Sequence, residues 1–423
     1  MKSLALRLYG TNDLRLESFD LPTVAEDEIL ASVVSNSICM SSFKAAEQGA
    51  GHKRVPDDVA ENPIIIGHEF SGVIQEVGAK YKDKFQPGMK YSIQPAIFYP
   101  GREMEAPGYS FPHCGGQATA NIIAREVLEQ DCLLAYEGEA FYEASLSEPM
   151  SCIVGAFRAQ YHFDAGSYEH KMGIVEGGSI AIIAGAGPMG LGAIDYALHG
   201  PRKAKRVVVT DIDQTRLDRA ASIHTPEYAA TCGVELKYVN TGSGNPVDDL
   251  KTINGGKGYD DVFVFAPVAP LVAQASAILG ENGCLNFFAG PSKTDFSAPM
   301  NFYDVHYAGH HIVGTSGGNT EDMRISLRMM ATGELKPTVF ITHVGGIDSA
   351  AATILDLPNI PGGKKLVYTG KAMPMTAIED MPKLGETDPF FKGLAEITVK
   401  NNHLWSVEAE NYVLKNAKDM DMK

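Results

Sequence analysis

Cysteine is sparse in this chain of 423 residues. The six cysteines are scattered, without a CxxC pair, over Cys39, Cys114, Cys132, Cys152, Cys232 and Cys284. This spacing excludes a disulfide framework and a four-cysteine zinc knuckle, and it is typical of a protein from a reducing cytoplasm. The first residues, MKSLALRLYGTNDLRLE, lack the apolar centre of a signal peptide and alternate like a strand. We therefore expect a cytoplasmic protein.

The sequence also lacks long apolar runs and an excess of positive charge. No uninterrupted apolar run approaches the roughly 18 residues that a membrane-spanning helix needs. Lys and Arg total 36 against 52 Asp and Glu, so the net charge is −16. No large basic face is available to neutralise phosphates along a nucleic acid. We expect neither a membrane nor a nucleic acid as partner.

The length predicts two domains, because one hydrophobic core rarely grows this large. Short β-like runs with turn residues fill the first 150 residues, which predicts a mostly β, barrel-like domain. Strand-like and helical patterns then alternate, which predicts an α/β domain with a doubly wound parallel sheet. The six predicted strands are 179–184, 206–210, 234–239, 261–265, 284–289 and 311–315.

A glycine-rich turn follows the first of these six strands. The segment SIAIIAGAGPMGLGAIDYALHG carries Gly185, Gly187 and Gly190, with Met189 where the helix begins. Between a strand and a helix, such glycines let the backbone turn tightly, approach a pyrophosphate and pack the helix on the strand. A dinucleotide site is therefore predicted here, and the alternative is a tight turn without a ligand.

An aspartate at the end of the second strand bears on the choice of dinucleotide. Asp211 stands where a carboxylate holds the adenosine ribose hydroxyls. It would repel a 2′-phosphate, so NAD(H) is favoured over NADP(H). Arg216 lies close by in the sequence, which leaves the use of both cofactors open.

Four potential metal ligands lie in the β-rich region and its end. Cys39 lies in SNSICMSSFK, His68 and Glu69 follow three isoleucines in NPIIIGHEF, and Glu148 lies in SLSEPMSC. Any three of them, with a water or a substrate oxygen, would form an open tetrahedral catalytic zinc site. Each residue alone has an ordinary explanation: a core cysteine, a hydrogen-bonded His–Glu pair, or a glutamate at a helix start.

Together these motifs resemble the zinc-dependent medium-chain dehydrogenases of the sorbitol and alcohol dehydrogenase superfamily. The matching segments are Cys39, the GHE run with GVIQEVG, GGQAT at 115–119, Glu148-Pro149 and the 185–190 turn. NFFAGP, NFYDVHYA, VGTSGGNT and GGKKLVYTGKA resemble the L-sorbose 1-phosphate reductase branch. The resemblance implies a GroES-like catalytic domain (1–151), a Rossmann domain (152–317) and a return to the catalytic domain (318–423), with a C-terminal extension from about residue 370.

The resemblance implies one catalytic zinc per chain. Its ligands would be Cys39 and His68 with Glu69 or Glu148 as the third, and the sequence leaves open which glutamate binds. No structural zinc is expected, because residues 95–115 hold only one cysteine, where many relatives have four. A homodimer or a homotetramer is also implied.

Three further residues receive roles from the resemblance. Ser41 would hydrogen-bond the substrate oxygen and exchange a proton with it. Lys44 occupies the position of a histidine that relays protons in relatives. Lys365, in GGKKLVY, would meet the cofactor pyrophosphate.

The implied reaction is reversible reduction of L-sorbose 1-phosphate to D-glucitol 6-phosphate by NAD(P)H. A phosphorylated substrate would need a local cationic pocket in this acidic protein, and the basic residues Lys44, Lys53 and Arg54 cluster between Cys39 and the strand of His68. Lys44 would either anchor the phosphate or relay protons, and 52–54 could instead be a solvated loop. The alternatives are a dehydrogenase of an unphosphorylated polyol or amino alcohol, and a nucleotide-binding protein without catalysis.

Overall fold

The structure is a computed structural model that describes residues 1–164 and 166–421. The first part of the chain is mostly β. Its strands are β1 Lys2–Gly10, β2 Asp13–Asp20, β3 Ile29–Ile38, β4 Ile64–Ile65, β5 Glu69–Val77, β6 Lys90–Ile93, β7 Ala120–Ile123 and β8 Leu133–Tyr136. Its helices are α1 Met40–Gln48, α2 Arg125–Glu129, α3 Phe141–Ser145 and α4 Ser147–Ala159.

Strands and helices alternate in the middle of the chain. The strands are β9 Tyr161–His162, β10 Lys171–Met172, β11 Ser179–Ile183, β12 Arg206–Asp211, β13 Glu235–Asn240, β14 Tyr259–Val264, β15 Leu279–Phe287 and β16 His311–Gly314. The helices are α5 Pro188–His199, α6 Gln214–Ile223, α7 Pro226–Thr231, α8 Pro246–Ile253, α9 Ala269–Ala277 and α10 Phe302–Tyr307.

The last hundred residues hold short strands and five helices in the described part. The strands are β17 Ile341–Gly346, β18 Lys364–Tyr368, β19 Lys371–Ala372, β20 Thr376–Ala377 and β21 Lys418–Asp419. The helices are α11 Thr320–Ala331, α12 Ala350–Leu355, α13 Met381–Leu384, α14 Pro389–Lys400 and α15 Val407–Asn416. In the part of the chain that the structure describes, no helix combines the length and apolarity needed to cross a bilayer.

The chain forms two compact units. The first consists of Met1–Glu148, Asn319–Gly333 and Pro337–Lys423, and the second of Pro149–Gly318 with Glu334–Lys336. The first unit is thus discontinuous in sequence, with the second inserted into it. The sequence did not indicate the short return of residues 334–336 to the second unit.

The first unit is built around an eight-stranded sheet in the order β20-β17-β18-β3-β5-β6-β8, with β7 also paired to β3. Strand β3 is central and runs antiparallel to the three strands paired with it, β18, β5 and β7. The end of β3 therefore lies at the same edge of the sheet as the beginnings of β5 and β18. A second sheet in this unit has the order β2-β1-β4.

The second unit contains six parallel strands in the order β13-β12-β11-β14-β15-β16. This is the order 3-2-1-4-5-6 of a doubly wound dinucleotide-binding sheet. Buried apolar side chains line up across four strands at Val208, Ala181, Val262 and Leu285, as expected where helices cover a parallel sheet. The predicted doubly wound α/β fold with a β-rich catalytic domain is confirmed.

The C-terminal extension is anchored by a buried hydrogen-bond network within the first unit. The indole of Trp405 donates to the hydroxyl of Tyr368 at 2.9 Å, and that hydroxyl donates to the carboxylate of Glu410 at 3.0 Å. Glu410, on α15, also accepts from the backbone N–H groups of Phe141 and Tyr142 at 2.7 and 2.8 Å. The extension thus caps α3, the helix just before Glu148.

Candidate active site

Two neighbouring strands, β3 and β5, bring the candidate metal ligands to one edge of the sheet. Cys39 directly follows β3 and is the N-cap of α1, and Glu69 opens β5, where its partner across the ladder is Ser37. His68 lies just before β5, after Gly67, whose φ is +97°. A side chain at Gly67 would meet Asn36 Oδ1 at 2.9 Å and would be strained at this φ, so glycine is required at the turn into His68.

The ligand atoms of Cys39, His68 and Glu69 all lie within 4.8 Å of one another. The Nε2 atom of His68 is 3.9 Å from Glu69 Oε1 and 3.5 Å from the hydroxyl of Ser41. His68 and Glu69 are 5% and 1% exposed, yet His68 Nδ1 and Glu69 Oε2 have no hydrogen-bond partner among the residues that the structure describes. Buried polar atoms are rarely left without partners, so these atoms indicate an absent ligand or ordered solvent.

A lysine that the sequence did not single out completes this group. Lys364 is the first residue of β18, and its ammonium donates a hydrogen bond to Glu69 Oε1. Burial acts to lower the pKa of Lys364, but its interactions with Cys39 and Glu69 outweigh burial and raise the pKa overall. The sequence signal for Lys364 was the pair of lysines, 364 and 365, at the start of a strand. Adjacent residues of a strand point to opposite faces, so the two ammonium groups are expected on different sides of the sheet.

The pKa values of the three candidate ligands are shifted by different surroundings. Burial raises the pKa of the Cys39 thiol and lowers the pKa of the His68 imidazole. Burial also acts to raise the pKa of Glu69, but the positive charge of Lys364 and the hydrogen bond from its ammonium prevail and lower it. Glu69 is therefore a carboxylate and His68 a neutral imidazole, which are the forms that bind zinc.

Glu148 lies in the first turn of α4 and is not one of the three clustered ligands. Burial and the negative charge of Glu69 raise the pKa of its carboxyl to about 7. Glu148 is close enough to raise the pKa of His68. It is therefore a neighbour of the cluster, and Glu69 is the carboxylate within it.

The cluster fits a zinc ion. Sulfur, nitrogen and oxygen donors from Cys, His and Glu are ordinary zinc ligands, and three of them leave a fourth tetrahedral position for substrate or water. The two unpartnered buried atoms and the neutralising Lys364 agree with a site that is completed by a cation. Cys114 and His113 lie in residues 95–115, the segment that binds a structural zinc in many relatives. Burial raises the pKa of Cys114 to about 12, and the ring of His113 stacks against Phe19.

Of the three basic residues singled out by sequence, Arg54 lies close enough to His68 to act on its pKa. Lys44 is half-buried on α1, Arg54 is half-buried in the loop after it, and Lys53 is exposed. The aromatic ring of Tyr109, which the sequence did not indicate, stacks on His68 with 4.9 Å between ring centres. Arg54 lies over the same tyrosine ring.

Lys365 points away from its neighbour Lys364. Its ammonium donates to the carbonyls of Ile360, Pro361 and Gly363 at 3.1, 2.9 and 2.8 Å, and the residue is 2% exposed. Burial, with the charge of Lys364, lowers its pKa to about 8. Its contact with a cofactor pyrophosphate stays a prediction.

The glycine turn in the second unit has the predicted position between β11 and α5. A Cβ at Gly190 would lie 2.0 Å from the carbonyl oxygen of Gly185, so helix and strand pack too closely for any side chain. A Cβ at Gly187, the N-cap of α5, would meet no atom within 4 Å, which leaves room beside the backbone. Met189 lies in the first turn of α5. The turn therefore lies at the start of α5, next to the point between β11 and β14 where the strand order of the sheet reverses direction. Dinucleotides bind at such a point in doubly wound sheets.

Asp211 ends β12, the neighbour of β11. It is 7% exposed, and its Oδ1 accepts from the backbone N–H groups of Ile212 and Asp213 at 2.9 and 3.1 Å. Arg216 is exposed and pairs with Asp213, with 3.5 Å between Nε and Oδ2. The Asp211 carboxylate is thus fixed at the end of the strand beside the glycine turn.

Comparison with known proteins agrees with both units. Residues 25–127 match the alcohol dehydrogenase GroES-like domain, and residues 188–332 match the zinc-binding dehydrogenase domain. The chain is 51% identical to L-sorbose 1-phosphate reductase of Klebsiella pneumoniae over 416 residues, and 50% identical to mannitol-1-phosphate 5-dehydrogenase of Aliivibrio fischeri over 415 residues. Each match covers 98% of both chains.

Solved structures share the fold at low sequence identity. The 2R,3R-butanediol dehydrogenase of Bacillus subtilis aligns with a TM-score of 0.68 at 19% identity, over 87% of this chain and 99% of the other. The fold, the ligand cluster and the two domain matches lead to the same conclusion. The chain belongs to the zinc-dependent medium-chain dehydrogenases, and it is an NAD(P)-linked alcohol dehydrogenase.

Proposed function

We propose that this protein interconverts a ketose phosphate and a polyol phosphate, with L-sorbose 1-phosphate and D-glucitol 6-phosphate as the substrate pair. The observation that carries the proposal is the Cys39–His68–Glu69 cluster in a chain about half identical, over nearly its full length, to two enzymes named for sugar or polyol phosphates. In the reductive direction the ketone gains a hydride and a proton and becomes a secondary alcohol, while NAD(P)H becomes NAD(P)+.

The ligand cluster would hold the zinc ion, and the glycine turn would bind the nicotinamide cofactor. When bound, zinc supplies Lewis-acid polarisation of the ketone, and the reduced nicotinamide supplies the hydride. We infer one zinc per chain, held by Cys39, His68 and Glu69. Lys364 keeps Glu69 ionised, and Glu148 is the alternative third ligand if Glu69 leaves the ion.

We infer that Ser41 exchanges a proton with the substrate oxygen. Its hydroxyl is 3.5 Å from His68 Nε2, so a substrate oxygen bound beside His68 would lie near this hydroxyl. The hydroxyl donates a proton as the alcohol forms and accepts one in the reverse direction. Lys44, three residues further along α1, would restore that proton if it serves as the relay.

The nucleotide preference follows from Asp211. Its fixed carboxylate at the end of β12 suits two ribose hydroxyls and disfavours a 2′-phosphate. We therefore infer NAD(H) as the preferred cofactor. Arg216 is the nearby positive charge that would tolerate NADP(H) in addition.

A substrate panel is the decisive experiment. Initial rates should be measured with L-sorbose 1-phosphate, fructose 6-phosphate, L-sorbose, D-glucitol and L-threonine, each in its reactive direction with NAD(H) and with NADP(H). We expect a higher kcat/KM for phosphorylated ketoses than for the free compounds. Faster turnover of a free polyol or an amino alcohol would overturn the proposal, and no turnover of any compound by zinc-loaded protein would favour a nucleotide-binding role without catalysis.

A second candidate substrate is favoured by one specific relative. The name mannitol-1-phosphate 5-dehydrogenase places the oxidised carbon four carbons from the phosphate, whereas in a 2-ketose 1-phosphate the two groups are on adjacent carbons. The same panel separates these possibilities, because fructose 6-phosphate has the remote arrangement and L-sorbose 1-phosphate the adjacent one.

We also propose that the protein is a homodimer or a homotetramer in solution. Strand β16 is an edge of the six-stranded sheet, and Ile312 on it is 43% exposed. On α10, just before β16, Phe302, Tyr303 and Tyr307 are 74%, 66% and 69% exposed. An apolar patch beside an open strand edge is typical of a protein interface. Light scattering on the purified protein gives the subunit number directly.

A further inference from the structure

Three positive side chains, Lys44, Lys53 and Arg54, lie around His52. Burial and the positive charges of Lys53, Arg54 and Lys44 lower the pKa of His52, so all three cations act on this one imidazole. Among the described residues, none of the three has a carboxylate within the 4.0 Å of an ion pair. Such a group is unusual in a chain with a net charge of −16.

Tyr109 contacts both Arg54 and His68, and it therefore links the positive side chains to the candidate metal ligands. The guanidinium carbon of Arg54 is 5.9 Å from the centre of the Tyr109 ring, which is 4.9 Å from the centre of the His68 ring. The guanidinium carbon is therefore no more than about 10.8 Å, the sum of these distances, from the His68 ring. His52 also stacks on Tyr109, with 5.7 Å between ring centres.

The backbone of the loop is also held in place. Arg54 Nη1 donates to the carbonyl of Met104 at 3.0 Å, and the carbonyl of Arg54 accepts from the hydroxyl of Ser110 at 2.7 Å. Tyr109 is 6% exposed. The arginine is thus preorganised on a buried aromatic ring, with other guanidinium N–H groups left for a ligand.

We propose that Arg54, with Lys44 and Lys53, forms the subsite that binds the phosphate of the substrate, and that Tyr109 positions Arg54 relative to His68. The identity of the ligand rests on the proposed function. A phosphate monoester carries about −1.5 to −2 charges at pH 7 and suits a fork of guanidinium donors with lysine point charges around it. The cluster also offsets the unfavourable field of an acidic protein.

The first test compares Arg54→Met with wild type on L-sorbose 1-phosphate and on L-sorbose. Loss of a charged phosphate contact should lower kcat/KM for the phosphorylated ketose about 10- to 150-fold and change that for the free sugar little. Arg15→Met is the matched control, because Arg15 also lies over a tyrosine ring, Tyr9, but is paired with Asp13. It removes the same charge and should leave the ratio of the two efficiencies unchanged.

Variants of Tyr109 and Lys44 test the other parts of the subsite. Tyr109→Leu should raise KM for the phosphorylated ketose more than it lowers kcat, at unchanged zinc content, and Tyr109→Phe should restore KM because it keeps the ring. Lys44→Met should lower the efficiency for the phosphorylated ketose alone if Lys44 binds phosphate. Slower turnover of both sugars, with a changed pH profile, would remove Lys44 from the subsite and assign it to proton relay.

Binding of inorganic phosphate provides a test that is independent of turnover. Phosphate should raise the melting temperature of wild type and of Arg15→Met, and raise that of Arg54→Met less. An equal rise in all three proteins, or equal losses on both sugars in Arg54→Met, would overturn the subsite. If wild type turns over no phosphorylated ketose but phosphate binding still depends on Arg54, the proposed function fails and the anion site stands.

Discussion

The ammonium of Lys364 donates a hydrogen bond to the carboxylate of Glu69 from the strand on the opposite side of β3. The two side chains are 12% and 1% exposed, so neither charge has much access to water. A buried carboxylate without a counter-charge is costly, and the lysine supplies one until a metal ion joins the cluster.

Replacement of Lys364 should therefore weaken the metal-free protein more than the zinc-loaded one. Lys364→Met leaves Glu69 buried without its partner, and such a change costs about 3–5 kcal/mol of unfolding free energy. Bound zinc restores positive charge and should recover part of the loss. Melting temperatures with and without zinc test this, with Lys371→Met as control, since the buried Lys371 pairs with Asp419 instead. Equal losses in both states would contradict the prediction.

Cys39 and His68 should each be required for zinc. Elemental analysis of the wild type should give about one zinc per chain, and Cys39→Ser or His68→Ala should lose the metal and the activity. Titration with NADH should still give the wild-type affinity, because the glycine turn lies in the other unit. Cys232→Ser, in the nucleotide-binding unit, should keep its zinc. Two tightly held zinc ions per chain would contradict a single site.

Asp211→Ser should shift the cofactor preference towards NADP(H). Loss of a charged contact with the ribose should weaken NAD(H) about 10- to 150-fold, whereas NADP(H) loses a repulsion. Ratios of kcat/KM for the two cofactors measure the change. Asp218→Ser, on the exposed side of α6, is the control and should leave the ratio unaltered. A wild type that strongly prefers NADPH would show that Asp211 does not select the cofactor.

Glu410 should make the stability of the protein depend on pH. Burial raises the pKa of its carboxyl to about 7, although the backbone donors of Phe141 and Tyr142 oppose the shift. The folded state thus holds this proton more tightly than the unfolded chain, where the pKa is near 4.5. The stabilisation is complete below about pH 4.5 and is lost as the pH rises to about 7, by on the order of 3 kcal/mol.

Urea unfolding of the metal-free protein between pH 5 and 8 measures this dependence. Glu410→Gln cannot ionise, so its stability should fall less over this range than that of the wild type. Glu408→Gln is the control, because Glu408 is exposed on the same helix and pairs with Lys400. An unchanged slope in Glu410→Gln would show that Glu410 is not responsible.

The elements with strong local patterns could be predicted from the sequence. All six parallel strands and the turn at Gly185 were expected, because buried β-branched runs and glycine spacing are local signals. The grouping of Cys39, His68 and Glu69 is non-local, and its prediction depended on the resemblance to a family. The structure explains the grouping through antiparallel pairing of β3 with β5.

Lys364 and Tyr109 could not be identified from the sequence, because their roles depend on contacts between residues that are far apart in the chain. Lys364 reaches Glu69 only because β18 joins β3, and no local pattern distinguishes Lys364 from Lys365. Tyr109 lies in an irregular segment, and its ring meets His68 and Arg54 through tertiary packing alone. Short C-terminal strands such as β19 and β21 are likewise set by their partners rather than by their composition.

The pairing of β3 with β18 also determines when the catalytic unit can be completed during synthesis. The two strands are separated by more than 300 residues, and the whole nucleotide-binding unit emerges from the ribosome between them. The nascent chain can finish the six-stranded sheet while the central strand of the other unit still lacks one neighbour. Until residues 364–368 emerge, the part of β3 from Ser35 to Ile38 stays open to wrong partners on one side, so the early part of the chain is exposed to aggregation for a long interval.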